Sequence, residues 1–437
     1  MVIKMMDVNY GEAIYLINEE HSLLVDCGSK FERKGKTAAD AVKSLLCNNH
    51  SSALITHLDE DHYNGFAELA GEVKFNYLYL PSYFYKSKEG LFSFDEYLTS
   101  IIKNWTYWRI LKQTAKLDTF HRFIMSIPRL VDDFEHVVCL GMGNAPVFGN
   151  KTIRILWPPY SYVSERSVYS EEAEIFLTSK IKNLDSVKNA VNNYIEALAE
   201  IRSSFSYQGE YPDKYEQGDN RRQDQRDITR GDRVLHKDTF VGNDGSVPAN
   251  QYERYIIPER FSQKQIVSKT KYFKPELFEE LDAAYQKICD FSVRTNFDYE
   301  IMRQMSSINS KQINCMNDCS TVFEYGKELL MLGDVGTNVF DRYIVPNLAD
   351  EYKVVKISHH GTKAYYSQLL PNAEKYLISN SGSSYIRWGI FDLYPDRYPN
   401  QIVCTNTNPD RCGIVNRCIG CKVGQEKGDC ILDTATI

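Results

Sequence analysis

Thr56-His57-Leu58-Asp59-Glu60-Asp61-His62 directly follows the apolar run Ala53-Leu54-Ile55. Five of these seven residues can bind or orient a metal ion. Two imidazoles and two or three carboxylates packed against the end of a strand are costly without a counter-charge, and a divalent cation is the usual one. An isolated H-x-D-x-D-H can also be no more than an acidic loop. The rest of the chain decides between these readings.

Three distant segments repeat the pattern of an apolar strand running into polar residues. Leu24-Val25-Asp26-Cys27-Gly28-Ser29 ends in Asp-x-Gly. Leu329-Leu330-Met331-Leu332-Gly333-Asp334 ends in Gly-Asp, and Val354-Val355-Lys356-Ile357-Ser358-His359-His360-Gly361-Thr362 ends in a histidine pair. Strands hold ligands rigidly and the loops after them supply donors, as an α/β metal site requires.

Composition sets the limits of the fold. A chain of 437 residues with 43% apolar and 13% aromatic content can bury a sizeable core, as two or three domains or as one large core with an insertion. The 30 tyrosines suit amphipathic surfaces and ordinary cores alike. A net charge of −7 argues against a global electrostatic clamp on nucleic acid. No apolar run of about 18 residues is present, so no membrane span is expected. The start of the chain has no secretory signal pattern. The eleven cysteines are therefore read as thiols or metal ligands of a soluble cytoplasmic protein.

Periodicity predicts paired strands at Ala13–Ile17 and Leu23–Val25, a helix over 37–48, a short helix over Tyr63–Leu69 and a strand over Val73–Leu80. Residues 92–137 read as helical and rich in aromatics, which suits core or cap packing better than a base-stacking platform. Strands are expected at Val137–Leu140, Thr152–Trp157, Thr321–Tyr325, Glu328–Leu332, Val354–Ile357, Tyr376–Ile378 and Ile402–Thr405. Helices are expected at about 184–204 and 275–291. Between them, from Gln208 to about Asn250, the chain is polar, and its Arg-rich part at 221–233 is balanced by Asp and reads as solvated.

In order along the chain, these motifs resemble the metallo-β-lactamase fold superfamily, and within it the hydrolase domain of bacterial DNA-uptake channel proteins. Asp7-Val8-Asn9-Tyr10-Gly11-Glu12-Ala13-Ile14 is similar to an opening D-V-G-Q-G-D-A, and Leu24–Gly28 to I-D-x-G. Thr56–His62 with Gly65 is similar to T-H-x-H-x-D-H-x-x-G, and Asn317–Ser320 before Tyr325-Gly326 to N-x-x-S. Leu332-Gly333-Asp334 resembles the bridging-Asp motif and His359–Thr362 the H-H-G-S motif. The resemblance implies an α/β fold, the four-layer αβ/βα metallo-β-lactamase sandwich. A helical insertion at 161–305 would divide it into halves at 1–160 and 306–405, and a Cys-rich segment at 406–437 lies outside it.

The resemblance also implies roles. His57 and Asp59 would face one divalent ion, Asp61 and His62 a second, and Asp334 would bridge both. His359 or His360 would complete the second site; the sequence leaves open which. Asp61 would orient the nucleophile. Asp59 stands where the superfamily usually has His, making the first site harder and more anionic and favouring Mn²⁺ or Mg²⁺ over Zn²⁺. The superfamily often adds another His ligand; His121, His136 and His236 are available, with His136 the best placed and a surface or core role the default. Cys27 reads as a small buried thiol rather than a nucleophile.

Cys412, Cys418, Cys421 and Cys430, with Cys404 nearby, form a second constellation. One C-x-x-C with irregular flanks suits either a structural Zn²⁺ knuckle or free thiols. The expected function is metal-dependent hydrolysis of phosphodiesters, foremost by a nuclease, since relatives of this kind are common in anti-phage systems. A small-molecule cyclic-nucleotide or phosphoester hydrolase suits the acidic charge. A non-catalytic scaffold that keeps the fold and meets protein partners through the insertion is the rival from outside the enzymes.

Overall fold

The computed structural model describes residues 1–8, 10–31, 36–46, 51–86, 93–111, 115–143, 146–159, 174–208, 272–291, 299–380, 390–391, 393–398, 401–405 and 430–435. His236, Asn9, Cys412, Cys418, Cys421, the polar stretch beyond Gln208 and the Arg-rich segment lie outside them, so the zinc-knuckle expectation does too.

The chain is an α/β protein with two mixed sheets. The first contains β1 (Val2–Met5), β2 (Gly11–Asn18), β3 (His21–Ser29), β4 (Ser51–Leu54), β5 (Leu78–Pro81), β6 (Val137–Leu140), β10 (Ser206–Gln208) and β16 (Cys430–Asp433). Their order is β10-β6-β5-β4-β3-β2-β1-β16. The run from β3 to β10 is parallel, and β2, β1 and β16 join antiparallel. The hairpin of β7 (Val147–Phe148) and β8 (Lys151–Thr152) leads into the second sheet. That sheet holds β9 (Arg154–Trp157), β11 (Val322–Tyr325), β12 (Leu329–Met331), β13 (Glu351–Lys356), β14 (Asn372–Ile378) and β15 (Ile402–Cys404). Its order is β15-β14-β13-β12-β11-β9, parallel from β12 to β15.

Alternation along each strand divides side chains between cores, because neighbours in a strand point to opposite faces. On β2 and β3, Ile14, Leu16, Leu23 and Val25 join a core that also takes Leu329, Met331 and Val354 from the other sheet. Their neighbours Ala13, Tyr15 and Leu24 face a second core built with helices. On the far sheet, Leu330 and Val355 face a third core with Phe340, Tyr376 and Tyr394. Strands buried on both faces read as nearly continuous apolar runs, which is why Leu329–Leu332 and Val354–Ile357 stand out in the sequence.

Most of the helices fall where periodicity places them; the one at Tyr299–Asp318 does not follow from it. Ala38–Lys43 forms α1, opened by a Thr37–Asp40 capping box. Glu60–Tyr63 and Phe66–Leu69 form α2 and α3. Ser93–Ile110 (α4) and Lys116–Leu130 (α5) divide the aromatic stretch, and Tyr97, Trp105 and Tyr107 are buried in the helix-side core. Leu184–Arg202 (α6) and Pro275–Asp290 (α7) add Val187, Val191, Leu281 and Ile288 to that same core. Tyr299–Asp318 (α8) runs across position 305 as one helix, so that position lies inside an element.

One expected strand is shorter than its pattern. Val73–Leu80 alternates, yet only Leu78–Pro81 is a strand. Backbone bonds from Val73 N–H to the Leu69 carbonyl (3.1 Å) and from Phe75 N–H to the Leu130 carbonyl (2.7 Å) tie the earlier residues to helix ends. A backbone donor satisfied there is not free for a sheet ladder. Among the described residues no helix is long and apolar enough to cross a membrane.

Candidate metal centre

Four parallel strands deliver the polar residues from their C-terminal ends: β3 and β4 from one sheet, β12 and β13 from the other. Asp26 sits at a bulge in β3, where pairing with β2 skips from Ala13↔Cys27 to Ile14↔Val25. Its φ of 55° is left-handed, a strain usually found where the surroundings demand it. The bulge turns the carboxylate toward the loop after β4. There it accepts from Thr56 N–H (2.7 Å), Thr56 Oγ1 (2.7 Å) and His62 Nδ1 (2.8 Å).

This network settles the imidazole tautomers. Thr56 has one hydroxyl proton and gives it to Asp26, so its oxygen accepts from His57 Nδ1 at 3.1 Å. His360 Nδ1 donates to the Ser379 carbonyl at 2.7 Å. Each of the three rings is thus anchored through Nδ1 and presents Nε2, which is how a ligand histidine is ordinarily held. Gly28 lets α2 close on β3, since a Cβ there would overlap the backbone of Asp61 and His62. Asn64 locks that approach by accepting from Ser29 N–H (3.0 Å) and donating to the Ser29 carbonyl (2.7 Å).

His57 Nε2, His62 Nε2, His360 Nε2 and Asp334 Oδ1 are all buried without a hydrogen-bond partner. Orphaned buried donors and acceptors are rare and costly. Two donor groups gather around them among the described residues, His57–His62–Asp334 and Asp61–His62–His360; a third, Glu12–Asp26–His62, lies beneath. Asp334 Oδ2 stands 3.3 Å from His62 Nε2 and 3.9 Å from His57 Nε2, and Asp61 Oδ2 stands 3.7 Å from His360 Nε2. Imidazole and carboxylate donors of this number fit a divalent metal ion.

The remaining candidates are not among these donor groups, though His359 and Asp59 lie beside them. His359 bonds Thr362 through Nδ1 (3.1 Å), stacks on Tyr365 with centroids 3.9 Å apart and points Nε2 at Asp334 from 3.7 Å, outside the donor groups. Asp59 also lies outside them. Its Oδ1 caps α2 through Glu60 N–H, and its carboxylate meets Lys30 Nζ (3.2 Å) and Lys116 Nζ (3.4 Å). His121 contacts Asp282 (3.1 Å) and stacks on Tyr285, joining α5 to α7. His136 packs edge-on against Tyr77. Cys27 is fully buried, and burial pushes its thiol up, away from the thiolate. Cys430 begins β16 at a sheet edge.

Sequence reasoning passed over Lys30, Lys116 and Tyr10. Lys30 also reaches Asp61 Oδ1 at 3.1 Å and lies 4.8 Å from the centre of the Tyr10 ring. Tyr10 lies inside the opening motif and Lys30 just after the Asp-x-Gly strand, but no motif marks Lys116. Beneath the site, Lys356 of β13 pairs with Glu12 of β2, both fully buried, so an ion pair joins the two sheets. The chain matches no model of a known protein family and no curated protein.

The electrostatics prescribe a pH dependence. Burial alone would lower the His62 pKa, but Asp334 and Asp26 outweigh it and hold the ring protonated well above the histidine range. His57 goes down to about 4, through burial first and the His62 charge second. In the metal-free chain, the raised His62 contributes stability that is complete below roughly pH 6.5 and is lost as pH rises through the raised value. A metal ion at Nε2 displaces that proton. The rise in Tm on adding Zn²⁺ is therefore expected to grow between about pH 6 and pH 8; a constant increment would contradict it.

Proposed function

We propose that the chain is a metal-dependent hydrolase of phosphodiester bonds, foremost a nuclease, with the four-layer αβ/βα sandwich that its motifs resemble. The observation that carries this reading is the convergence of four unpartnered buried donor atoms from two sheets, on His57, His62, His360 and Asp334. The three cores, one between the sheets and one on the outer face of each, support the layered reading.

A Zn²⁺ or Mn²⁺ ion bound here would act as a Lewis acid and activate water at neutral pH. His57, His62, His360, Asp61 and Asp334 would hold it. Asp26 fixes the His62 ring through Nδ1, and the Ser379 carbonyl fixes His360. Asp61, with one oxygen toward Lys30 and the other toward His360, would orient the nucleophile and take its proton.

The test is cleavage of plasmid, single-stranded DNA, RNA and bis(p-nitrophenyl) phosphate with Mn²⁺, Mg²⁺ or Zn²⁺, beside Asp61→Ala and Asp334→Ala. Metal-dependent cleavage of a polynucleotide that both variants lose is the expected result. Cleavage of the small ester alone would replace the nuclease by a small-molecule phosphodiesterase. Wild-type rates no higher than those of the variants would leave a scaffold.

A further inference from the structure

We infer that Lys30 occupies, as a fixed ammonium, the place of a second cation, so that the centre takes one divalent ion rather than two. The inference rests on the metal-centre reading above and concerns how many ions it holds.

Ligand chemistry gives the first argument. Both upper donor groups include His62. Its Nδ1 is committed to Asp26, which leaves one lone pair, on Nε2, for metal. One lone pair serves one ion, so His57–His62–Asp334 and Asp61–His62–His360 cannot be filled as separate complete triads. They describe one pocket approached from two sides.

Geometry gives the second. A second ion would need Asp59 and the outer oxygen of Asp61. Lys30 Nζ already stands between those two carboxylates, 3.2 Å from Asp59 Oδ2 and 3.1 Å from Asp61 Oδ1. The Tyr10 ring 4.8 Å away backs the ammonium, and Lys116 takes the other Asp59 oxygen at 3.4 Å. Asp59 is therefore answered by two ammoniums, and its Oδ1 also caps α2.

Charge gives the third. Asp26, Asp59, Asp61 and Asp334 bring four negative charges to the centre, and Lys30 and Lys116 bring two positive ones, while Glu12 and Lys356 offset each other. One divalent ion balances that set. A second would leave an excess of two positive charges beside the Lys30 ammonium. The Asp at position 59 is then the partner of a lysine pair rather than a metal ligand.

The experiment is metal stoichiometry, by titration calorimetry with Mn²⁺ and by elemental analysis of the bound Mn²⁺, an ion that a thiolate knuckle at Cys412, Cys418, Cys421 and Cys430 does not take, on the wild type, Lys30→Met and Lys30→Arg. One ion per chain is expected for the wild type and Lys30→Arg, and two for Lys30→Met at saturating metal. Two ions in the wild type would overturn the assignment of Lys30 while leaving the hydrolase intact. One ion in a folded Lys30→Met, checked by its melting transition, would overturn it as well. No ion in the wild type would overturn both this inference and the metal-centre reading. If Lys30→Met does not fold, Lys30→Gln takes its place in the same count, and two ions in the wild type overturn the inference in either case.

Discussion

Asp334→Asn is expected to lower metal-dependent hydrolysis by about three orders of magnitude and to remove most bound metal from the purified chain. Several kcal/mol of transition-state stabilisation attach to a hydrolytic metal, and each 1.4 kcal/mol or so is a factor of ten in rate. Asp334 is buried between two candidate ligand rings, 3.3 Å from His62 and 3.9 Å from His57, with His359 at 3.7 Å. Burial would raise its pKa, but the His62 charge and then His359 hold the carboxyl well below the usual range. It is thus an anion at any working pH, and Asn has the same shape without the charge.

The fold should survive, because the Asp334 backbone N–H still reaches Ser320 Oγ at 3.2 Å and Asn makes no new overlap. The control is Asp341→Asn, a carboxylate bonded to Ser367 outside the donor groups. Rate and metal content are measured on the same samples. Values for Asp334→Asn within about threefold of the Asp341 control would remove Asp334 from the ligand set.

How much of this could be read in the sequence depends on what each residue's role rests upon. Strands such as Leu23–Val25 and Val354–Ile357 declare themselves because burial on both faces demands an apolar run. His57, Asp61, His62, Asp334 and His360 are visible for a related reason: donors placed just past such runs have few bland explanations. The choice between His359 and His360 is not legible, because it turns on backbone. Both have positive φ, 45° and 56°, and only His360 reaches the Ser379 carbonyl nineteen residues on. Lys116 lies 57 residues from Asp59, and a lysine opening a helix looks the same whether it meets solvent or a buried carboxylate. The role of Asp26 is hidden as well. The strand motif shows that it is there, but its work depends on a bulge that no local pattern announces.

That bulge makes Asp26 the most informative position for separating folding from metal binding. Asp26→Ala is expected to cost at least about 4 kcal/mol of stability. It strands three buried donors, Thr56 N–H, Thr56 Oγ1 and His62 Nδ1, and each unsatisfied group carries a penalty of roughly 1–3 kcal/mol. It also places Ala at a φ of 55°, which costs roughly 1 kcal/mol more. Against a total stability of about 5–15 kcal/mol, that loss is large. Asp26→Asn behaves differently. Asn tolerates the left-handed backbone as well as Asp does, and its amide oxygen, with two lone pairs, can still accept from two donors at most, while its amide nitrogen faces the remaining one. What it cannot do is accept from Thr56 N–H, Thr56 Oγ1 and His62 Nδ1 together, so the His62 ring loses its fixed direction. Loss of such an outer partner typically weakens metal binding 10–100-fold. Urea unfolding of the metal-free chains and Zn²⁺ titration of both variants separate the two effects. The alanine variant should fail chiefly in the first measurement and the asparagine variant chiefly in the second. An Asp26→Asn protein that binds Zn²⁺ as tightly as the wild type would show that Asp26 holds the fold without directing His62 toward a metal.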